Sequence, residues 1–359
     1  VKIAHLDTGR SWRGGQAQVL LLMRGLRSRG DESALLAPDG PLLEKAQAEG
    51  FVTRRWRPRG ELDVVAMAHA AAALRELAPD VAHHHSAHAH AVGVPAARWA
   101  GVSAVVVSRR VDFAVARTPW SAWKYRMPVD RYLCISRGVI EVMKAGGIPA
   151  RRLALVPSGI EFPDPPPGED LRGMLGLPAG TPIVGTVAAL APHKDHGVLL
   201  EAATELIERV PEVHLAWVGE GECRAALERR RAALGLDARV HLLGFRRDAH
   251  ALMRQFTLFA LSSHLEGLCT SLLDAQALGV PIVATRVGGI PDVVRDGATG
   301  RLVPARDPHA MAVALAEALR DEGLRRGWAE AARRSVEAFR IDATVEATRS
   351  EYRKVLDGI

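Results

Sequence analysis

Three cysteines in 359 residues are too few and too scattered for a disulfide framework. Cys134, Cys223 and Cys269 form no CxxC pair either, so no thiolate metal site is spelled. Aromatic residues make up only 5% and no recognition motif accompanies them, which disfavours nucleic acid as a partner. No apolar run approaches the roughly 18 residues of a membrane span. The longest alanine-rich stretch, 64–77, is broken by His69 and Arg75. Residues 1–6 read as a strand, without the basic start and cleavable apolar core of a secretion signal. The expectation is a protein working in the reducing cytoplasm.

Charge is present in quantity and unevenly placed. The net charge is +6, yet residues 1–160 carry 23 Lys+Arg against 13 Asp+Glu, a surplus of ten, and the remainder is net negative. An arginine-rich genome explains this as well as an anionic partner does. Phosphorylated glycolipid or membrane headgroups fit the second explanation. Local clusters lie at Arg54, Arg55, Arg57 and Arg59, at Arg109 and Arg110, and from Arg117 through Lys124 to Arg126, where Trp120, Trp123 and Tyr125 are interleaved.

Short apolar strands alternate with amphipathic helices along the whole chain, the pattern of doubly wound α/β domains. Strands are expected at 2–6, 33–37, 81–84, 104–108, 131–135 and 153–156, with helices at 16–29, 62–77 and 140–145. The run Phe162-Pro163-Asp164-Pro165-Pro166-Pro167-Gly168 can continue neither element and reads as a linker. The alternation then restarts at 183–187. Two open α/β domains, 1–160 and 161–340, follow from this reading, with ligands expected at the carboxyl ends of the strands. A helix over 341–356 comes after the second domain and is expected to pack back on the first.

Several segments suit phosphate and sugar chemistry. A strand ending near Leu261 leads through Glu266-Gly267 to a helix starting near Thr270 or Ser271, which aims backbone N–H groups and a helix dipole at an anion. Glu266 and Asp274 could accept hydrogen bonds from sugar hydroxyls, or could merely cap and solvate the helix start. Gly219-Glu220-Gly221 follows a strand but lacks the third glycine of a dinucleotide fingerprint, since Arg224 occupies that place. Arg13-Gly14-Gly15-Gln16 is expected as a βα loop whose backbone can approach a ligand closely.

Taken together, Glu266-Gly267, Asp274, Gly279-Val280-Pro281 and Gly288-Gly289-Ile290-Pro291 resemble the signature of family 4 retaining glycosyltransferases, whose fold is GT-B, two facing Rossmann-like domains. The resemblance implies that Glu266 contacts the donor sugar. Backbone amides of Gly267, Leu268, Cys269, Thr270 and Ser271 would hold the sugar and distal phosphate, and Asp274 the ribose. Gly219 would wall the nucleotide pocket, Phe245 and Arg246 would frame the base, and Lys194 would hold the diphosphate. Gly14 and Gly15 would close on the donor, and His85, the second histidine of a His-x-His pair, would reach its sugar. The donor would be a UDP- or GDP-sugar, held without cofactor or metal. Arg13, Arg109, Arg110, Arg117 and Lys124 are expected on the acceptor side, facing an anionic glycolipid or saccharide of the lipopolysaccharide kind and possible peripheral contact with the inner face of the plasma membrane.

The sequence departs from the family pattern in three places: Asp274 replaces a glutamate, Cys269 a glycine, and Ala189 the arginine that helps bind diphosphate. His193, Arg286 and Arg13 are candidate substitutes for that cation. Five histidines between His83 and His90 suggest metal binding, but no carboxylate or cysteine completes a tetrahedral set, so no metal site is expected. His88 and His90 are expected on a helix surface or the acceptor side. A sugar-nucleotide epimerase, or a binding protein weakened in catalysis by Ala189, are the alternatives.

Overall fold

The computed structural model describes residues 1–115, 118–166 and 168–358, less the side chains of Pro119, Trp120 and Ala122. The chain divides into two compact units, Val1–Gly159 with Ile341–Ile359, and Ile160–Arg340. In the first unit, strands β1 (Lys2–Leu6), β2 (Glu32–Ala37), β3 (Val52–Arg55), β4 (Val81–His84), β5 (Ala104–Arg109), β6 (Arg131–Cys134) and β7 (Leu153–Leu155) form one sheet. Its order is β3-β2-β1-β4-β5-β6-β7 and every pair is parallel. Helices cover both faces, so the central strands are buried throughout and read as near-continuous apolar runs.

β3 was not expected from the sequence, because Val-Thr-Arg-Arg has no apolar face to announce a strand. It is an edge strand, where charged side chains also discourage pairing with another chain. Arg54 forms an ion pair with Glu76, and Arg55 lies 3.0 Å from Asp39. The first helix, Gly14–Arg27, begins two residues earlier than expected and takes both glycines into its first turn.

The last helix, Ile341–Leu356, completes the first unit. Val345 and Tyr352 are fully buried against Ile3, Leu22, Leu26, Val81 and Val106. Each such burial contributes about 1.5–3 kcal/mol. Gly25 makes the helix crossing close: a Cβ there would lie 2.4 Å from Val345 Cγ2. Arg349 Nε donates to Asp31 at 2.6 Å, and Thr344 Oγ1 donates to the Pro157 carbonyl at 2.9 Å.

The second unit holds β8 (Ile183–Val187), β9 (His214–Val218), β10 (Val240–Gly244), β11 (Leu258–Leu261), β12 (Ile282–Thr285) and β13 (Arg301–Val303). The sheet is again parallel, in the order β10-β9-β8-β11-β12-β13. Leu199, Leu206, Trp217, Met311, Leu315 and Trp328 fill its core. In both sheets the strand order reverses beside the first strand, between β1 and β4 and between β8 and β11. Loops diverge at such a reversal and leave a crevice at the carboxyl ends of the strands.

Candidate active site

In the second unit the reversal point is occupied by a charged pair. Lys194 ends a short 3-10 turn, Pro192–Lys194, on the loop after β8, and Glu266 lies on the loop after β11. The two side chains form an ion pair in which both are about nine-tenths buried, with relative exposures of 12% and 11%. The loops are fastened to each other. Ser262 Oγ donates to the carbonyls of Lys194 and Asp195, each at 3.0 Å, and His264 N donates to the His193 carbonyl at 2.9 Å. Asp195 takes a left-handed conformation, φ 51°, and its carboxylate lies 3.2 Å from His264 Nδ1. Gly289 N donates to the Glu266 carbonyl at 2.9 Å, which ties in the glycine turn after β12.

Cys269 Sγ stands 3.8 Å from Lys194 Nζ and 3.1 Å from Ser271 Oγ, so the side chain that replaces a glycine lines the site. Burial opposes the Lys194 charge, but the sulfur and the Glu266 carboxylate outweigh it and hold the ammonium pKa above its ordinary value. Burial also pushes the Cys269 thiol up, so at neutral pH the thiol keeps its proton and the sulfur acts on Lys194 only in the alkaline range. The helix Thr270–Leu278 starts here with no side chain capping it from Cys269. Leu272 N donates to the Cys269 carbonyl at 3.1 Å, while the amides of Thr270 and Ser271 ahead of it have no intrahelical acceptor and can serve an anion. Asp274, one turn in, lies 3.4 Å from His250 Nε2 and raises that histidine's pKa.

The neighbouring loop after β9 is held by backbone hydrogen bonds and by the ion pair of Glu220 with Arg224 at 2.6 Å. Gly219 has φ 146° and donates to the Gly244 carbonyl at 2.8 Å, and a Cβ there would lie 1.9 Å from the Ala188 carbonyl oxygen. Leu190 N in turn donates to the Glu220 carbonyl at 3.0 Å. The segment containing Ala189 is thus braced through its backbone.

At the reversal point of the first unit, β1 and β4 pair His5 with His83. His85, just past β4, is buried, with Nε2 3.0 Å from His5 Nδ1 and Nδ1 3.3 Å from Arg110 Nη2. His83 bonds Tyr352 OH at 2.6 Å and Ser108 Oγ at 2.8 Å. Burial, then the neighbouring histidines and Arg110, holds His83 and His85 well below the ordinary imidazole pKa, and His5 falls to about 3 through burial and Arg110. Sequence reasoning missed His5, because only the pairing of β1 with β4 brings it to the others.

Two family models match the chain: Glycosyltransferase Family 4 over residues 12–162 and Glycosyl transferases group 1 over residues 169–335. The chain belongs to the family 4 glycosyltransferases. The D-inositol 3-phosphate glycosyltransferase of Corynebacterium urealyticum is 32% identical over 218 residues, 57% of this chain and 51% of that protein. The lipopolysaccharide core biosynthesis glycosyltransferase LpsE of Rhizobium meliloti is 32% identical over 159 residues, 44% of this chain and 46% of that one. The chain spans about half the length of the curated relatives it matches. The fold of Anabaena HepE, solved in complex with UDP, superposes with a TM-score of 0.86 at 19% identity, covering 99% of this chain and 100% of that one. The architecture is therefore GT-B.

The other residues singled out in the sequence stand in varied surroundings. Gly14 and Gly15 belong to the first helical turn rather than to a loop; Arg13 is its exposed N-cap, and nothing lies within 4 Å of a Cβ built at Gly15. Phe245 is 72% exposed, whereas Arg246 is held by Asp248 at 2.8 Å and Glu169 at 2.7 Å. Arg286 is committed to Asp296, so it is not a free substitute for the missing arginine. Arg109 points to Tyr125 OH at 3.0 Å and the Phe113 carbonyl at 2.6 Å. Lys124 does not face outward: it is buried and paired with Glu61 at 2.6 Å. His90 is buried against the edges of Tyr125 and Tyr132 and only His88 is exposed. Arg117 lies outside the described residues, as does the side chain of Trp120.

Proposed function

We propose that this chain transfers a sugar from a nucleotide-diphosphate donor, UDP- or GDP-linked, to an anionic glycolipid or saccharide acceptor in cell-envelope glycan synthesis, with retention of anomeric configuration and without a metal ion. The observation that carries the reading is the buried Lys194–Glu266 pair at the reversal point of the second sheet, beside the uncapped helix Thr270–Leu278. A nucleotide diphosphate would draw Lys194 from Glu266, and the first helical amides would share its charge. Glu266, so released, accepts hydrogen bonds from the sugar hydroxyls, while Asp274 takes the ribose. As the bond from the anomeric carbon to the diphosphate oxygen breaks, the sugar gains oxocarbenium character. The acceptor oxygen bonds to that carbon on the same face, and its proton passes to the departing phosphate oxygen.

A cytoplasmic enzyme touching the inner face of the plasma membrane fits the first unit, and among the described residues no helix is long and apolar enough to cross a membrane. Leu62, Val64 and Val65 are 61–70% exposed, next to exposed Arg57 and Arg59. The Lys124–Glu61 pair joins them to the helix Pro119–Arg126, which exposes Trp123 and Arg126. Apolar side chains ringed by cations suit an anionic headgroup layer. Co-sedimentation with anionic liposomes should fall with salt and on Arg57→Glu or Leu62→Glu.

Incubation with UDP- and GDP-sugars, with and without lipopolysaccharide-type acceptors, tests the catalytic reading, the anomer being read by NMR. Transfer with retention is expected, and Glu266→Ala should abolish it in a folded protein. An inverted product, acceptor-independent epimerisation of the donor, or full activity of that variant would each overturn it.

A further inference from the structure

The imidazoles of His5, His83 and His85 lie close enough to suggest a cation site, but their hydrogen bonds run against it. A guanidinium can only donate. His85 Nδ1 therefore accepts from Arg110, so Nε2 carries the proton and donates to His5 Nδ1. His5 Nε2 then donates to Ser33 Oγ at 3.3 Å. Neither ring keeps a lone pair for a metal, and a half-buried guanidinium stands beside them.

That guanidinium is the unexplained group. Its hydrogen-bond partners among the described residues are His85 Nδ1 and, at 3.4 Å, Ser158 Oγ; neither is an anion. Arg110 Nε is buried with no partner at all. Burial lowers the Arg110 pKa to about 10, partly offset by Asp7, whose Oδ1 already accepts from Gly9 N and Gln16 Nε2. A charge partly withdrawn from water, with its Nε sealed off, is costly unless an anion faces it.

Arg110 lines a small cavity in the first unit whose other polar walls are Gln18, His83, Ser108, Ser158, Thr344 and Thr348. Gln18 and Thr344 are spent on the carbonyls of Gly159 and Pro157. The serines are not. The Tyr352 phenol, the stronger donor, gives its proton to His83 Nδ1; His83 Nε2 then donates to Ser108 Oγ, whose own hydrogen stays free. Ser158 Oγ accepts from Arg110, so its hydrogen is free as well. The cavity therefore presents an unpartnered N–H and two O–H groups beside a cation, a surplus of donors. It offers about 10 Å³ to the centre of a water-sized sphere, room for about one small particle.

We propose that this cavity binds one halide-sized monovalent anion, chloride being the natural occupant, between Arg110 Nε and the hydroxyls of Ser108 and Ser158. The ion neutralises Arg110 beneath Thr344 and Thr348 and so fastens the helix Ile341–Leu356 to β5. The site is tested without activity. Thermal unfolding of the full chain is compared in sodium chloride, sodium bromide and sodium gluconate at one ionic strength. The halides should raise Tm by about 2–4 °C over gluconate, and Arg110→Met should lose that difference. Crystals grown in bromide should show an anomalous peak at Arg110, which decides the matter even if the variant does not fold. No halide-specific shift, an equal shift in Arg110→Met, or bromide absent from Arg110 would overturn the proposal and leave the cavity to water.

Discussion

Lys194 is committed to Glu266 in the structure, and a nucleoside diphosphate that recruits the ammonium has to draw it away from that carboxylate. Glu266→Gln keeps the shape and removes the competing charge. A charge-assisted hydrogen bond is worth about 1.5–3 kcal/mol. Lys194 has three donors and can bridge both anions, so the diphosphate recovers part of this, roughly 1–1.5 kcal/mol. Glu266→Gln should therefore bind UDP or GDP about 5–12-fold more tightly while transferring sugar at least about tenfold more slowly, having lost a contact to the reacting ring. Lys194→Met should go the other way on affinity. It should also lower stability by about 2–3 kcal/mol, below the full cost of stranding a buried charge because Glu266 keeps some access to water. Because the Lys194 pKa is raised in the folded state, the pair's contribution is complete below the unfolded lysine value and is lost only as pH rises through the higher folded one. Affinity should thus be flat between about pH 7 and pH 9 as far as Lys194 is concerned. Titration calorimetry with UDP and GDP on the wild type, both single variants and the double variant measures all of this. If Glu266→Gln weakens diphosphate binding or leaves it unchanged, Lys194 is not the diphosphate ligand and the reasoning fails.

Acid should weaken the first unit more than the second, which holds three depressed histidines, His196, His214 and His241. His5, His83, His84, His85 and His90 are all held below the ordinary imidazole value by burial, so each loses stability as pH falls from about 6.5, at up to about 1.4 kcal/mol per pH unit; hydrogen exchange across a pH series would show which sheet opens first. Gly15→Ala should leave Tm unchanged or slightly raised, by up to about 1 kcal/mol of helix propensity, yet reduce transfer if backbone meets donor there; Gly219→Ala should instead destabilise the second unit, since its Cβ would strike the Ala188 carbonyl. Activity should survive EDTA, and its loss on chelation with restoration by one metal would contradict the metal-free reading.

Much of the architecture was legible because its strands are apolar and its linker is proline-rich. The exceptions share a cause. β3 and β13 are edge strands of four and three residues without an apolar run, since β3 carries two arginines and β13 begins with one. The site was legible where it depends on local order, as in Glu266, the helix after it and Asp274. It was opaque where it depends on partners distant in sequence. Lys124 reads as a surface cation until Glu61, 63 residues away, claims it, and His5 reads as an ordinary strand residue until β4 is laid beside it. Arg110 reads as half of a basic pair, but the turn after β5 sends it inward while Arg109 goes to Tyr125.

The passage of the chain out of its first unit at Gly159 and back into it at Ile341 bears on the order in which it can fold during synthesis. The second unit is one continuous stretch, Ile160–Arg340, and can close as soon as it has left the ribosome. The first must wait with Ile3, Leu26 and Val81 uncovered until Val345 and Tyr352 appear, and with His83 short of its phenol. For the time needed to make some 180 residues, at about 5–20 per second, the nascent protein carries an open apolar seam along its first sheet. This is the interval in which chaperones have most to hold, and a stop codon before Val345 would make it permanent.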